Sequence, residues 1–128
     1  MIMTGVKRLT TAELDAGLEE IRRSPKDEGA LAMIVRRPRV NERDVLQEAQ
    51  PDTHEGVVGD TWKSRSSSRT PDTSPHPHMQ LNIMNARVIA LVAGSPDRWP
   101  LAGDQLYIDM DLSAENLPAG TQLALGRP

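Results

Sequence analysis

Apolar residues recur at helical spacing near the start of the chain, where Leu14, Leu18 and Ile21 fall on one face of "TTAELDAGLEEIRRSP". Thr10 and Glu13 have the spacing of a capping box, and Arg22 and Arg23 suit the negative end of the helix dipole. Ser24-Pro25 predicts the stop, because a residue preceding proline is pushed out of the α region. Gly17 is the anomaly, since glycine costs about 1 kcal/mol against alanine in mid-helix. The pattern then changes. "GALAMIVRRP", a continuous apolar run that ends in charge and is bounded by Gly29 and Pro38, reads as a strand buried on both faces. "NERDVLQEAQ" is open between a short helix and further strand, with Val45, Leu46 and Ala49 as its anchors.

"THEGVVGDTW" predicts a sharp turn in which Gly56 and Gly59 take positive φ. No apolar period survives in the Ser-, Thr-, Pro- and Arg-rich segment that follows, so residues 63–78 read as a long flexible loop, either a plain insertion or a lid. Alternation returns from Met79 to Met84 and predicts a strand. Asn85 then caps a helix whose buried side is Val88, Ile89 and Val92, with Gly94 and Pro96 marking its end. The closing section reads as a strand over Gln105 to Leu112 and another over Thr121 to Leu125, with Asp111 or Ser113 capping the turn between them.

Composition narrows the function classes. The chain has 128 residues, enough for one domain, with a net charge of −3 and its basic residues dispersed. That balance gives no footprint for nucleic acid or for an anionic membrane. There is no cysteine, which removes disulfides, thiolate metal sites and a cysteine nucleophile from this chain. "MIMTGVKRLT" lacks the apolar run and cleavage site of a secretory signal, and no segment reaches the ~20 apolar residues of a membrane span. A cytoplasmic protein is expected. With no Phe, one Tyr and two Trp, the core is expected to be thin, and Trp62 and Trp99 are expected in it or in a pocket wall.

Three groups of residues are candidates for chemistry. Gly59-Asp60 and Gly103-Asp104 are tight turns whose N–H groups can line an anion nest, although ordinary turn chemistry explains both pairs. His76 and His78, with His54, have the side chains for a divalent metal, but they sit in or near a Pro-rich loop where solvated histidines are the simpler reading. Ser66, Ser67 and Ser68 have no paired base, so a nucleophilic serine is unsupported.

The order of these motifs carries a family resemblance. "GVVGD" gives Gly56, Gly59 and Asp60; Gly103, Asp104, Gln105 and Leu106 follow; then come Leu112-Ser113, Leu117, Gly120, Leu123, Leu125 and Gly126. Over roughly Leu31 to Gly126 the chain resembles the MOSC domain, named from the C-terminal domain of molybdenum cofactor sulfurase. "QLNIMNARVIALV" and "SRTPDTSPHPHMQ" are similar to a bacterial stand-alone subgroup.

The resemblance implies an α+β, mainly β fold, a partly open β-barrel with peripheral helices, as a single domain over residues 1–128. It implies binding of the molybdenum cofactor (molybdopterin), or carriage of sulfur for it on a cysteine. Pyridoxal phosphate binding and molybdenum ion binding go with it at family level. The implied partners are the small-molecule pterin and a molybdoenzyme or sulfur donor protein.

The family's cysteine lies beyond the Leu-x-Leu-Gly strand, where this chain reaches Gly126, Arg127 and Pro128. The domain therefore reads as C-terminally short of the family, sulfur-carrier activity is not expected of it, and no catalytic residue is assigned. Gln105 stands where the family has Asn, keeping the amide one methylene further out. The implied cofactor site is Gly59, Asp60, Arg65, Arg69, Gly103, Asp104 and Gln105, with the two guanidinium groups meeting a phosphate. Two other readings stay open: a metal-assisted hydrolase or reductase using His54, His76 and His78, and a non-catalytic module whose sheet edge recruits a partner strand.

Overall fold

The computed structural model describes residues 8–126; residues 1–7, which include most of the segment that reads as lacking a secretory signal, and the terminal Arg127-Pro128 lie outside them. The first helix, α1, spans Thr11–Arg22 and carries the complete capping box: Glu13 N–H donates to Thr10 Oγ1 and Thr10 N–H to Glu13 Oε1. Gly17 is explained by its neighbour. A Cβ there would come within 2.5 Å of Leu91 Cδ2 on the second helix, α2 (Ala86–Ala93), so the missing side chain lets the two helices approach.

Six strands complete an α+β fold: β1 (Ala30–Arg36), β2 (Asp44–Leu46), β3 (Pro51–Asp52), β4 (Gly56–Val57), β5 (Ile83–Asn85) and β6 (Leu106–Asp109). A mixed sheet runs β2-β1-β6-β5, and β3 pairs with β4 as a separate hairpin. β1 is antiparallel to both its neighbours, while β5 and β6 are parallel and joined through α2, as parallel pairing requires. No helix of the described residues is long and apolar enough to cross a membrane.

Between the sheet and α2 lies a small core of Val35, Ala86, Ile89, Trp99 and Tyr107. Both polar tips of its aromatic pair are satisfied. Tyr107 Oη donates to the Trp99 carbonyl at 2.8 Å, and Trp99 Nε1 donates to the Gly94 carbonyl at 3.1 Å. Trp62 is buried as well, so both tryptophans serve the interior. On the other face Leu31, Ile34 and Leu106 meet Val57, Leu81 and Leu125 around an apolar cavity of about 120 Å³.

Four expectations need correction. β1 is not buried on both faces: Val35 is fully buried but Leu31 is 43% exposed, because β2 pairs only with Ile34 to Arg36. The strand expected over Met79 to Met84 starts only at Ile83, since Pro77–Met79 is a turn of 3-10 helix. Val92 is exposed, and the side that α2 buries is Ala86 and Ile89. The closing hairpin does not form. β6 ends at Asp109, after which the Asp111 N–H turns to the Pro25 carbonyl, and Thr121 to Leu125 pairs with nothing. Both edges of β6 are already taken by β1 and β5, which leaves an alternating pattern without a ladder to join. Among the described residues no sheet closes into a barrel.

Asn85 ties these parts together. Its Oδ1 accepts from the Arg87 and Val88 N–H groups, capping α2, while its Nδ2 donates to Ser24 Oγ after α1 and to the Met110 carbonyl after β6. Asn85→Ala loses a cap and two long-range bonds and should cost about 2 kcal/mol or more in urea unfolding. Asn85→Asp, which keeps the cap acceptors, should cost less. A loss within about 0.5 kcal/mol for the alanine variant would contradict the assigned role.

Candidate functional site

β1 ends at Arg36, and continuing its alternation one residue further puts Arg37 in phase with Val35 on the core side. A buried arginine needs a counter-charge. The turn after β4 supplies it: Gly59, at φ 89°, brings the chain back so that Asp60 faces Arg37. The positive φ closes this corner to larger residues, and a Cβ at Gly59 would also lie 2.8 Å from the Arg36 side chain, which would have to move aside.

The Asp60 carboxylate is fully enclosed. Its Oδ1 accepts from the Arg37 backbone N–H at 2.7 Å and from Arg37 Nε at 3.3 Å. Its Oδ2 accepts from Arg37 Nη2 at 3.2 Å, Trp62 N–H at 3.1 Å and Gln105 Nε2 at 3.4 Å. Burial pushes the Asp60 carboxyl up. The hydrogen bonds from Arg37, its charge and the Trp62 N–H outweigh that, and the group sits below the usual carboxylate range. Through Trp62 the same carboxylate caps the 3-10 turn Thr61–Ser64.

Gln105, wholly buried, carries the arrangement across to β5. Its Oε1 accepts from the Asn82 N–H at 2.7 Å, and its own N–H donates to the Asn82 carbonyl at 3.0 Å. The two Gly-Asp turns are thus joined, through Asp60 and Gln105 in direct contact. Asp104 follows Gly103, which takes a left-handed conformation at φ 89°. Burial raises the Asp104 carboxyl, opposed by the charge of Arg37.

Arg37, Arg65, Ser66, His76 and Asn82, together with the apolar Trp62, Pro75 and Met79, line a cleft of about 210 Å³ beside this cluster. Arg65 Nε donates to Thr61 Oγ1 at 3.2 Å. Burial and the neighbouring Arg37 charge lower its pKa from the usual arginine value, while Asp60 opposes them. The segment between residues 63 and 78 forms the opposite wall, folded on itself by Thr70 Oγ1 donating to the Ser67 and Ser74 carbonyls. Trp62 Nε1 pins it through the His76 carbonyl at 3.1 Å.

Of the residues expected at the site, Gly59, Asp60, Gln105 and Arg65 are brought together, and Gly103-Asp104 lies alongside. Arg69 does not line the cleft; it is exposed, and its N–H donates to Ser67 Oγ. His76 and His78 stay side by side, their rings 5.2 Å apart, while His54 lies on a different element. His76 Nδ1 accepts from the His78 N–H, whereas the His54 N–H is bonded to Asp52 in the β3–β4 turn. Among the described residues no three His, Cys, Asp or Glu side chains are grouped to hold a metal ion. Sequence reasoning missed Arg37 and Asn82, and it offered His76 as a metal ligand rather than as a wall of this cleft. The available signal was an arginine two residues beyond Val35 on the core-facing period of β1.

Tyr107, behind the cleft, is the one tyrosine of the chain. Burial, and then the charge of Asp104, push its hydroxyl up from about 10 to about 12. A raised pKa favours the neutral phenol in the fold, so this contribution to stability is whole below the unfolded value and is lost as pH rises towards about 12. Phenolate absorbance should therefore appear only near pH 12 in the native protein, against about 10 in denaturant. Ionisation near 10 with a native circular dichroism spectrum would contradict the burial of this hydroxyl. Comparison with family models, with curated proteins and with solved structures finds no match to this chain.

Proposed function

We propose that this chain is a binding module for a phosphate-bearing small molecule, and that its ligand is the molybdenum cofactor held by the phosphate of its pterin. The observation that carries the reading is the state of charge in the cleft. Arg37 is answered by Asp60, but Arg65 has no carboxylate within 4.0 Å among the described residues. A guanidinium placed beside hydroxyl and amide groups suits a phosphate, which it can meet with two parallel bonds. Ser66, Ser67 and Asn82 supply those groups on the same walls.

Size limits what enters. At about 210 Å³ the cleft is smaller than a pocket for a whole drug-sized ligand, so it takes the phosphate end while the pterin lies outside. The MOSC resemblance supplies the pterin part of the proposal; the residues on the cleft support the anionic part. In this reading the four-stranded sheet and the β3–β4 hairpin are walls of a partly open barrel, the location is cytoplasmic, and a molybdoenzyme or sulfur donor protein is the exchange partner. The chain binds and does not carry sulfur, because a thiolate must hold the transferable sulfur and there is no cysteine.

Trp62 lines the cleft and Trp99 lies in the core, which gives an internal reporter. In a Trp99→Phe background, titration with the molybdenum cofactor should change Trp62 fluorescence saturably, and inorganic phosphate should compete. Arg65→Gln should weaken binding at least about tenfold, the loss of one charge-assisted contact. The absence of a saturable signal, or an unchanged affinity in the variant, would overturn the proposal.

A further inference from the structure

His76 lines the cleft with one of its two ring nitrogens committed and the other open. As N-cap of the 3-10 turn Pro77–Met79, it accepts the His78 N–H on Nδ1 at 3.1 Å. An accepting Nδ1 carries no proton, so the neutral ring holds its proton on Nε2 and offers it there as a donor. The residue is fixed from two sides. Trp62, another wall of the cleft, donates from Nε1 to its carbonyl at 3.1 Å, and the His78 ring lies 5.2 Å from its own. Nε2 has no hydrogen-bond partner among the described residues. On the same cleft Arg65 is tied through Nε to Thr61 Oγ1 at 3.2 Å. That leaves its Nη1 and Nη2 without a partner among the described residues.

We infer that His76 is the second anion-binding residue of the cleft, and that its Nε2–H selects a terminal phosphate ester, one with three free oxygens. This rests on the phosphate reading above and deepens it. The open end of the Arg65 fork takes two phosphate oxygens in parallel bonds. A donor from His76 then needs a third, which a phosphate with a single ester link has. A phosphodiester spends both of its free oxygens on Arg65 and presents only an ester oxygen, a poor acceptor, to the ring. Charge from Arg65 therefore attracts either ester, and His76 separates them.

The test titrates methyl phosphate and dimethyl phosphate at fixed ionic strength and about pH 8, where the monoester is doubly ionised. Trp62 fluorescence in the Trp99→Phe chain reads both. Asparagine and glutamine divide the two roles of the ring. His76→Asn keeps an acceptor near Nδ1 for the His78 N–H and removes the donor, whereas His76→Gln sets an amide N–H near the place of Nε2. His76→Asn should weaken methyl phosphate about tenfold, the loss of one charge-assisted bond, and leave dimethyl phosphate within about twofold. His76→Gln should lose less of the monoester affinity than His76→Asn. Nitrogen NMR of the Trp99→Phe chain should find the His76 proton on Nε2 and see that signal move with methyl phosphate. This measurement needs no variant at His76 and decides the matter if His76→Asn does not fold or if the diester binds too weakly to titrate. Equal losses for both esters, an unchanged monoester affinity in His76→Asn, a larger loss in His76→Gln, or an Nε2 signal unmoved at saturation overturn the inference and leave the phosphate site standing. Failure of methyl phosphate and inorganic phosphate alike to bind the Trp99→Phe chain overturns the phosphate reading itself.

Discussion

A single enclosed carboxylate organises this protein. Asp60 joins the end of β1, the start of the 3-10 turn after β4 and, through Gln105, the entry to β6. Enclosing an ion pair is expensive, and its own attraction repays that cost only if the remaining lone pairs are also satisfied. Here they are: Asp60 accepts five hydrogen bonds, and among the described residues no buried side-chain polar atom is without a partner. Such a pair adds little to stability over an apolar replacement, yet it fixes which loop meets which strand. Removing one partner leaves a buried charge exposed to the full desolvation cost.

That constraint matters more because the hydrophobic core is small. Five buried residues stand between the sheet and α2, and the one tyrosine and one of the two tryptophans supply most of their bulk. Both aromatics use their polar ends to hold the segment Pro96–Ala102, which delivers the chain to Gly103 and so to Gln105. Apolar packing and the polar cluster therefore meet at one place, the start of β6. The cleft takes its shape from that junction and its charge from the arginines around it.

Local signals in the sequence were reliable where the structure they specify is local. The capping box at Thr10, the Asn85 cap, the stop at Gly94 and the positive φ of Gly56 and Gly59 all stand in the structure. Patterns that depend on a distant neighbour were not. Thr121 to Leu125 alternates as a strand should, but alternation describes a face and supplies no ladder, and β6 has no free edge. The run from Ala30 reads as doubly buried because composition says nothing of how far β2 extends. At the site, the Gly-Asp turns were visible as motifs. Their convergence on Arg37 was not, because an arginine at a strand end reads equally well as a solvated terminus. Arg69 reads like Arg65 in the sequence, and only the fold of the intervening loop separates them.

Asp60 and Arg37 act as one unit, and a double-mutant cycle in equilibrium urea unfolding measures their coupling directly. Asp60→Asn and Arg37→Met alone should each cost about 3–5 kcal/mol, because each strands a buried partner. The double variant should cost far less than their sum, giving a coupling of at least about 2 kcal/mol. Costs that add within about 0.5 kcal/mol would mean that the two residues act independently.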